Sequence, residues 1–436
     1  MPPVFAFLAF TSGSYEGAII RDMRLANDLH RRGFTVFVYW MMETNRELVD
    51  RGIRQRILCR NTRYQTRSPS GLLDCAGKIL AIYPAQRRRR FAQQHPDYVG
   101  RLMCNFVRTV CDGDRGLENR LERFLLRDGA THVLPTFAMT CPFVQAVKER
   151  GRHKFDYLAT FQGEEIFANY AQQIGRLEDY YARLRKTVAG SAWPAIAVSN
   201  DYIARLRDEM GIDASKLTAI YPGIALPAAT DGKPAFETLL TKIPGLRPDV
   251  PIVTYFGRQD SEKGIDLLLY AVKILAERGL KMQLVACGGS SFGLKYREVC
   301  EQIAHHLRVK VMWKRRVSEE IKAALYAHSR CVVYPSIHRE PFGMVAAEAM
   351  SQGTPVLVPD QGGVKEAVRW NGAVGGLTFK AWDTADLARQ LERLLTDDAL
   401  HAELAAQSRA VASNFSVEKM TDGVLGHLGI EREREK

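Results

Sequence analysis

The sequence of 436 residues has no apolar run long enough to span a bilayer. Residues 1–10 are apolar, but no basic leader and no cleavage site accompany them, so they are expected to form a first buried strand rather than a secretory signal. Eight cysteines are present, yet no two form a Cys-x-x-Cys pair. That absence argues against a zinc ribbon, a dithiol redox centre or a disulfide framework, and predicts reduced, mostly buried thiols in a cytoplasmic protein. A full Gly-x-Gly-x-x-Gly is also missing. The loop Thr11-Ser12-Gly13-Ser14-Tyr15-Glu16-Gly17 keeps only Gly13 and Gly17, which argues against NAD.

Acidic residues are scarce in one stretch. The chain carries a net charge of +12, and residues 51–100 hold 11 Lys/Arg against 2 Asp/Glu. The sharpest part is Arg87-Arg88-Arg89-Arg90, just after Leu72, Leu73, Ile79, Leu80, Ile82 and Tyr83. Basic and apolar residues in succession point to contact with an anionic membrane surface, peripheral and on the cytoplasmic face. A solvated helix face, or a site for an anionic glycan or phosphate, would read the same way. No recognition motif accompanies the charge, so nucleic acid is not expected as a partner.

Hydrophobic content of 46% and charged content of 25% are those of a globular protein, and the length allows two full cores. In the first half, strands are predicted at 4–10, 34–40, 131–134, 157–161 and 195–198, with a helix at 17–32 ending at Gly33. The second half repeats the alternation, with strands predicted at 252–256, 282–286, 309–313, 332–334 and 355–358. Such alternation implies parallel sheets with right-handed crossovers. Residues 225–251, rich in Pro, Ala, Gly and Thr, read as a linker. The fold class is therefore α/β, as two Rossmann-like domains with parallel sheets facing a central cleft. Ligands of such sheets bind beyond the carboxyl ends of the strands.

The most informative run is His338-Arg339-Glu340-Pro341-Phe342-Gly343-Met344-Val345-Ala346-Ala347-Glu348-Ala349-Met350. It reads as a loop and a helix, preceded by the strand-like Cys331-Val332-Val333-Tyr334. Gly343 stands at the helix mouth, where unpaired N–H groups and partial positive charge attract phosphate or a sugar oxygen. Glu340 sits at that mouth. Glu348, eight positions on, could take two adjacent hydroxyls of a ribose. Two acids so placed suit a nucleotide-sugar better than a metal.

This block closely resembles the Glu-x7-Glu signature of retaining glycosyltransferases of glycosyltransferase family 4. Gly353-Thr354-Pro355 and Gln361-Gly362-Gly363 continue the family's pattern, and Gly257-Arg258-Gln259-Asp260-Ser261-Glu262-Lys263-Gly264 resembles its Gly-Arg…Glu-Lys-Gly loop. The resemblance implies the GT-B architecture, with an acceptor-binding domain at 1–223, a donor-binding domain at 224–415 and a last helix at 416–436 returning to the first domain. It implies catalytic roles for Glu340, Arg258 and Lys263, the two cations neutralising a diphosphate leaving group. Glu348, Gly343, Met344, Val345, Gly257, Gly288, Arg316 and Gly13 would contact the donor. Gln162, Glu164 and Tyr15 would contact the acceptor. Gln162 stands where many members have histidine, and an amide cannot titrate near neutral pH.

The activity implied is retaining, metal-independent transfer of a hexose from a nucleoside-diphosphate sugar to a glycan or lipid-linked acceptor, in polysaccharide, lipopolysaccharide or glycolipid assembly. No cofactor is expected beyond that substrate. The alternatives are a nucleotide-sugar epimerase on the same fold and a non-catalytic membrane scaffold. Asp112-Gly113-Asp114 has the form of a metal-binding pair, but no apolar strand leads into it, so metal binding is not expected there.

Overall fold

The structure is a computed structural model that describes residues 2–11, 17–60, 96–228, 232, 234–289 and 295–430, with 96–99 as backbone alone. The expected site residues Gly13 and Tyr15, and the run Arg87 to Arg90, lie outside the described residues. The chain forms two compact units, Met1–Gly223 with Val417–Lys436, and Ile224–Ser416.

In the first unit, β1 (Val4–Thr11), β2 (Thr35–Met42), β3 (Arg54–Arg60), β4 (His132–Pro135) and β5 (Asp156–Tyr157) form a parallel sheet of order β3-β2-β1-β4-β5. Almost every side chain of β1 and β2 is buried on both faces, which is why they read as continuous apolar runs. A second parallel sheet joins β6 (Thr160–Phe161), β7 (Ala195–Ala197) and β8 (Leu217–Ala219). The single strand predicted at 157–161 is thus two strands in different sheets. Leu158 N–H still bonds to Val133 of the first, while the Ala159 carbonyl already accepts from Ile196 of the second.

Strand β3 carries no apolar alternation and was not predicted. It is an edge strand whose Arg56 pairs with the buried Asp128, and whose Arg54 lies 5.7 Å from the Phe37 ring. Part of the basic excess of residues 51–100 is therefore spent on packing. Asp112 ends the helix Pro96–Asp112, and Asp114 caps the next, Arg115–Asp128, by accepting from Leu117 N–H at 3.1 Å. Helix capping accounts for Asp114, and Asp112 pairs with Arg176 at 3.0 Å.

The helix Val417–His427 belongs to the first unit. Val417, Met420, Val424 and Leu425 enter the core formed by Phe5, Phe7, Ile19 and Met23. Arg32 bridges Asp28 at 2.8 Å and Asp422 at 2.5 Å, and Gly223 N–H lies 3.0 Å from the Met420 sulfur.

In the second unit, β9 (Ile252–Phe256), β10 (Gln283–Cys287), β11 (Val311–Lys314), β12 (Cys331–Val333), β13 (Val356–Pro359) and β16 (Gly376–Phe379) form a parallel sheet of order β11-β10-β9-β12-β13-β16. A separate hairpin pairs β14 (Arg369–Trp370) with β15 (Ala373–Val374). Alternate strand residues serve opposite faces. Val253, Leu284 and Ala286 pack with the helices Ile265–Glu277 and Thr384–Thr396, while Ile252, Val285 and Cys287 pack with Ile321 and Leu325. The expected linker at 225–251 is only partly one. Its second half forms the helix Glu237–Lys242, and Leu239, Ile243 and Leu246 fill the second of these cores. The Pro, Ala and Gly content hid three apolar residues at helical spacing.

Met420 is 3% exposed, so Met420→Ala should destabilise the first unit by about 2–5 kcal/mol. Urea denaturation followed by circular dichroism measures this, and unchanged stability would show that the helix adds nothing to that core.

Candidate active site

In the second unit β10 and β11 lie on one side of β9, and β12, β13 and β16 on the other. The chain reverses direction between β9 and β12, and a crevice at such a point is where open α/β sheets hold ligands. The loops after these two strands are 257–264 and 334–343, the two that carry the sequence motifs.

The loops are stitched together. The Glu262 carbonyl accepts from Ser336 Oγ at 3.0 Å, Ile337 N–H at 3.0 Å and His338 N–H at 3.2 Å. Lys263 donates its ammonium to Glu340 Oε1, which also accepts from Ser336 Oγ at 2.6 Å. Lys263 and Glu340 are 5% and 7% exposed, so the pair is desolvated. Burial works against the Glu340 charge, but Lys263, His338 and the Ser336 hydroxyl outweigh it and hold the carboxyl down at about 2. Arg258 donates to Asp260 at 2.8 Å and to Glu262. The cations expected to face a diphosphate are therefore already oriented by carboxylates. Ser336, Asp260 and Glu262 were not picked out, although Asp260 and Glu262 lie inside a quoted run.

Three glycines set the backbone. Gly288 follows β10 with φ +137°, and a Cβ there would collide with the Gly257 carbonyl. The two expected donor glycines therefore pack on each other. Gly343, at φ +87°, opens the helix Met344–Ser351 with no capping side chain, and a Cβ would lie 2.7 Å from Val364 Cγ2. Met344 and Val345 form that helix's first turn. The Glu340 carbonyl accepts from Gly363 N–H at 2.8 Å, so the Gly362-Gly363 turn buttresses the loop. Glu348, one turn inside the helix, pairs with Lys322 Nζ at 3.3 Å. Arg316 follows β11 and is exposed.

In the first unit Gln162 and Glu164 follow β6. Gln162 donates its amide to Asp22 Oδ1 at 3.1 Å and to the Thr136 carbonyl at 2.6 Å. Asp22 is fully enclosed, and burial raises its carboxyl against the pull of Arg21. Glu164 was expected to contact the acceptor. It is 0% exposed, and its oxygens accept from Ala138, Gln162 and Gly163 N–H at 2.8, 2.9 and 3.1 Å. Its carboxylate clasps its own loop. Burial, reinforced by Glu165, pushes its carboxyl up to about 8 even though those N–H groups favour the ion.

A cavity of about 680 Å³ opens at the opposite, amino-terminal ends of the strands of the second sheet, beside Ile252, Arg330 and Pro355. Its cations serve helix ends. Arg409 donates to the Gln352 carbonyl at 2.9 Å, and Arg330 to the Leu394 carbonyl at 2.8 Å and to Asp398 at 2.6 Å. Cations so placed offset the negative ends of helix dipoles. This cavity is not where the motifs converge. Among the described residues no cluster of three or more His, Cys, Asp or Glu could hold a metal, and no helix is long and apolar enough to cross a membrane.

The profile of the family "Glycosyl transferases group 1" matches residues 237–411. Among curated proteins, a D-inositol 3-phosphate glycosyltransferase of Rhodococcus erythropolis is 35% identical over 53% of this chain and 52% of its own length. The Xylanimonas cellulosilytica protein of that name is 31% identical over 53% of this chain and 57% of its own. The chain thus spans little more than half the length of the curated relatives it matches. Among solved structures, Anabaena HepE in complex with UDP superposes with a TM-score of 0.71 at 17% identity, covering 98% of this chain and 99% of that one. Sucrose-phosphate synthase of Thermosynechococcus elongatus gives 0.69 at 21% identity, with 98% of each chain covered. Residues 237–411 are thus similar to the group 1 glycosyl transferases, and the fold is GT-B.

Proposed function

We propose that this chain is a retaining hexosyltransferase that moves a sugar from a nucleoside diphosphate to a glycan or lipid-linked acceptor, in polysaccharide, lipopolysaccharide or glycolipid assembly. The observation that carries the reading is the buried Lys263–Glu340 pair, with Arg258 beside it, between the carboxyl ends of β9 and β12. The names of the Rhodococcus and Xylanimonas relatives support transfer to a hydroxylated acceptor, and the Anabaena complexes with UDP and UDP-glucose make uridine nucleotides the first donors to try.

On this reading Arg258 and Lys263 donate to the diphosphate and strengthen as charge grows on the leaving oxygen. Glu340 accepts from a hydroxyl of the transferred sugar, and Glu348 accepts from the ribose. The N-terminus of Met344–Ser351 adds backbone donors. The acceptor attacks from the face the diphosphate leaves, and the departing phosphate oxygen takes its proton. The protein contributes position and charge stabilisation. No metal is called for, because two side-chain cations already neutralise the leaving group, and activity is expected to persist in EDTA.

Arg258→Ala and Lys263→Met each remove a charge-assisted hydrogen bond worth roughly 1.5–3 kcal/mol, so kcat/KM should fall by about 10- to 200-fold. Wild-type steady-state kinetics in both variants would remove the diphosphate from this loop.

The Lys263–Glu340 pair also predicts an acid limb of stability. The Glu340 carboxyl lies near 2 in the folded protein against an ordinary 4.5. Its contribution, of roughly 3 kcal/mol, is complete above pH 4.5 and is lost as pH falls toward 2. Denaturant midpoints between pH 6 and 3 should decline more steeply in the wild type than in Lys263→Met. Parallel declines would mean that the pair does not hold the carboxylate in its charged form.

The basic run of the first unit supports contact with an anionic membrane bearing the acceptor, each arginine adding on the order of 1 kcal/mol in a salt-dependent way. Changing Arg87, Arg88, Arg89 and Arg90 to Ser should sharply reduce co-sedimentation with phosphatidylglycerol vesicles while sparing donor hydrolysis. Equal sedimentation would leave these arginines as a solvated face.

A further inference from the structure

Lys322 belongs to none of the sequence motifs, yet it is the cation that meets Glu348. It lies on the helix Glu319–His328, the element after β11, and its Nζ stands 3.3 Å from Glu348 Oε2. The side chains of Lys322 and Glu348 are 14% and 13% exposed. The ammonium also stands 6.0 Å from the centroid of the Phe256 ring, at the end of β9. That ring packs edge-on against Tyr326, one turn along the same helix as Lys322, at 5.6 Å. Lys322 is thus enclosed between a ring and a carboxylate.

A surface role explains only part of this. Lys322 also pairs with Glu319 at 2.6 Å, but Glu319 is 84% exposed, and such pairs contribute little. The enclosed partner is Glu348. A carboxylate has about four lone-pair sites. Lys322 pairs with Oε2 and so restrains the orientation of the group. Two adjacent hydroxyls held by one carboxylate need that orientation fixed.

We infer that Lys322 is a positioning residue for the nucleotide. It acts through Glu348, holding the carboxylate in the orientation that grips a ribose 2′,3′-diol, and so makes the site selective for ribonucleotides over 2′-deoxyribonucleotides. The inference rests on the ribose role proposed for Glu348. Phe256 and Tyr326 hold the lysine in place, and the chemistry it serves is the pair of vicinal hydroxyls of the donor nucleotide.

The test is calorimetry on the full chain, with UDP, GDP and ADP screened first and the tightest binder then compared with its 2′-deoxy counterpart. Wild type should favour the ribonucleotide. Lys322→Met should weaken it by about 5- to 30-fold, leave the deoxy form within about twofold, and so close the gap. Lys322→Arg should restore most of it. Because the lysine acts through the glutamate, Lys322→Met with Glu348→Ala should bind no more weakly than Glu348→Ala alone. Equal weakening of both nucleotides by Lys322→Met, or additive losses in the double variant, would overturn the inference and leave the lysine with a packing role. If Glu348→Ala kept the full preference for ribose, the reading of Glu348 itself would fall, and the inference with it. Binding of none of the three nucleotides would overturn both.

Discussion

The arrangement of the second unit depends on the buried ion pair between Lys263 and Glu340. Desolvating two charges costs more than their attraction returns unless hydrogen bonds complete the shells, so a pair of this kind is a weak device for stability. What it does here is fix two loops at one place. Glu340 takes Lys263 and Ser336 on one oxygen, and the Glu262 carbonyl takes three donors from the facing loop. Around this centre the Gly362-Gly363 turn holds the Glu340 backbone, and Gly264 allows the first loop to pass close to Pro335. Removing the lysine would leave an uncompensated carboxylate in the core of the crevice, so the loops and the charges stand or fall together.

The equivalent turning point of the first unit is built differently. Its sheet reverses between β1 and β4, and among the described residues around the end of β4 the polar groups are turned inward. Glu164 spends its oxygens on three backbone N–H groups, and Gln162 spends its amide on Asp22 and Thr136. These contacts hold loops in place.

Much of this was legible in the sequence, for physical reasons that differ by element. Strand β9 matched its predicted bounds because a short, mostly apolar and β-branched run between Pro251 and Gly257 is what a strand buried on both faces leaves in the sequence. Strand β3 escaped because an edge strand needs no such run, and its arginines are satisfied by Asp128 and Phe37. The helix Glu237–Lys242 escaped because composition outweighed spacing in a stretch rich in Pro and Ala. At the site, the resemblance of the quoted motifs to a known family named Arg258, Lys263, Glu340 and Glu348. It could not show that Glu164 faces inward. Nor could it find Lys322, because a residue that acts across a helix–helix contact leaves no mark in its own neighbourhood of the chain.

The charges at the crevice carry one more consequence for the proposed donor. Arg258 and Lys263 are matched there by Asp260, Glu262 and Glu340. A diphosphate entering alone would compete with these carboxylates for the two cations and would leave Glu340, buried as it is, short of a donor. A sugar hydroxyl supplies that donor. A nucleoside diphosphate bearing a sugar can therefore satisfy both halves of the site, phosphate oxygens on the cations and a hydroxyl on Glu340, whereas the free nucleotide satisfies one. On the proposed function, the Lys263–Glu340 pairing would favour the intact donor over the free nucleotide, because only the donor brings a hydroxyl to Glu340 as the cations turn to the phosphates.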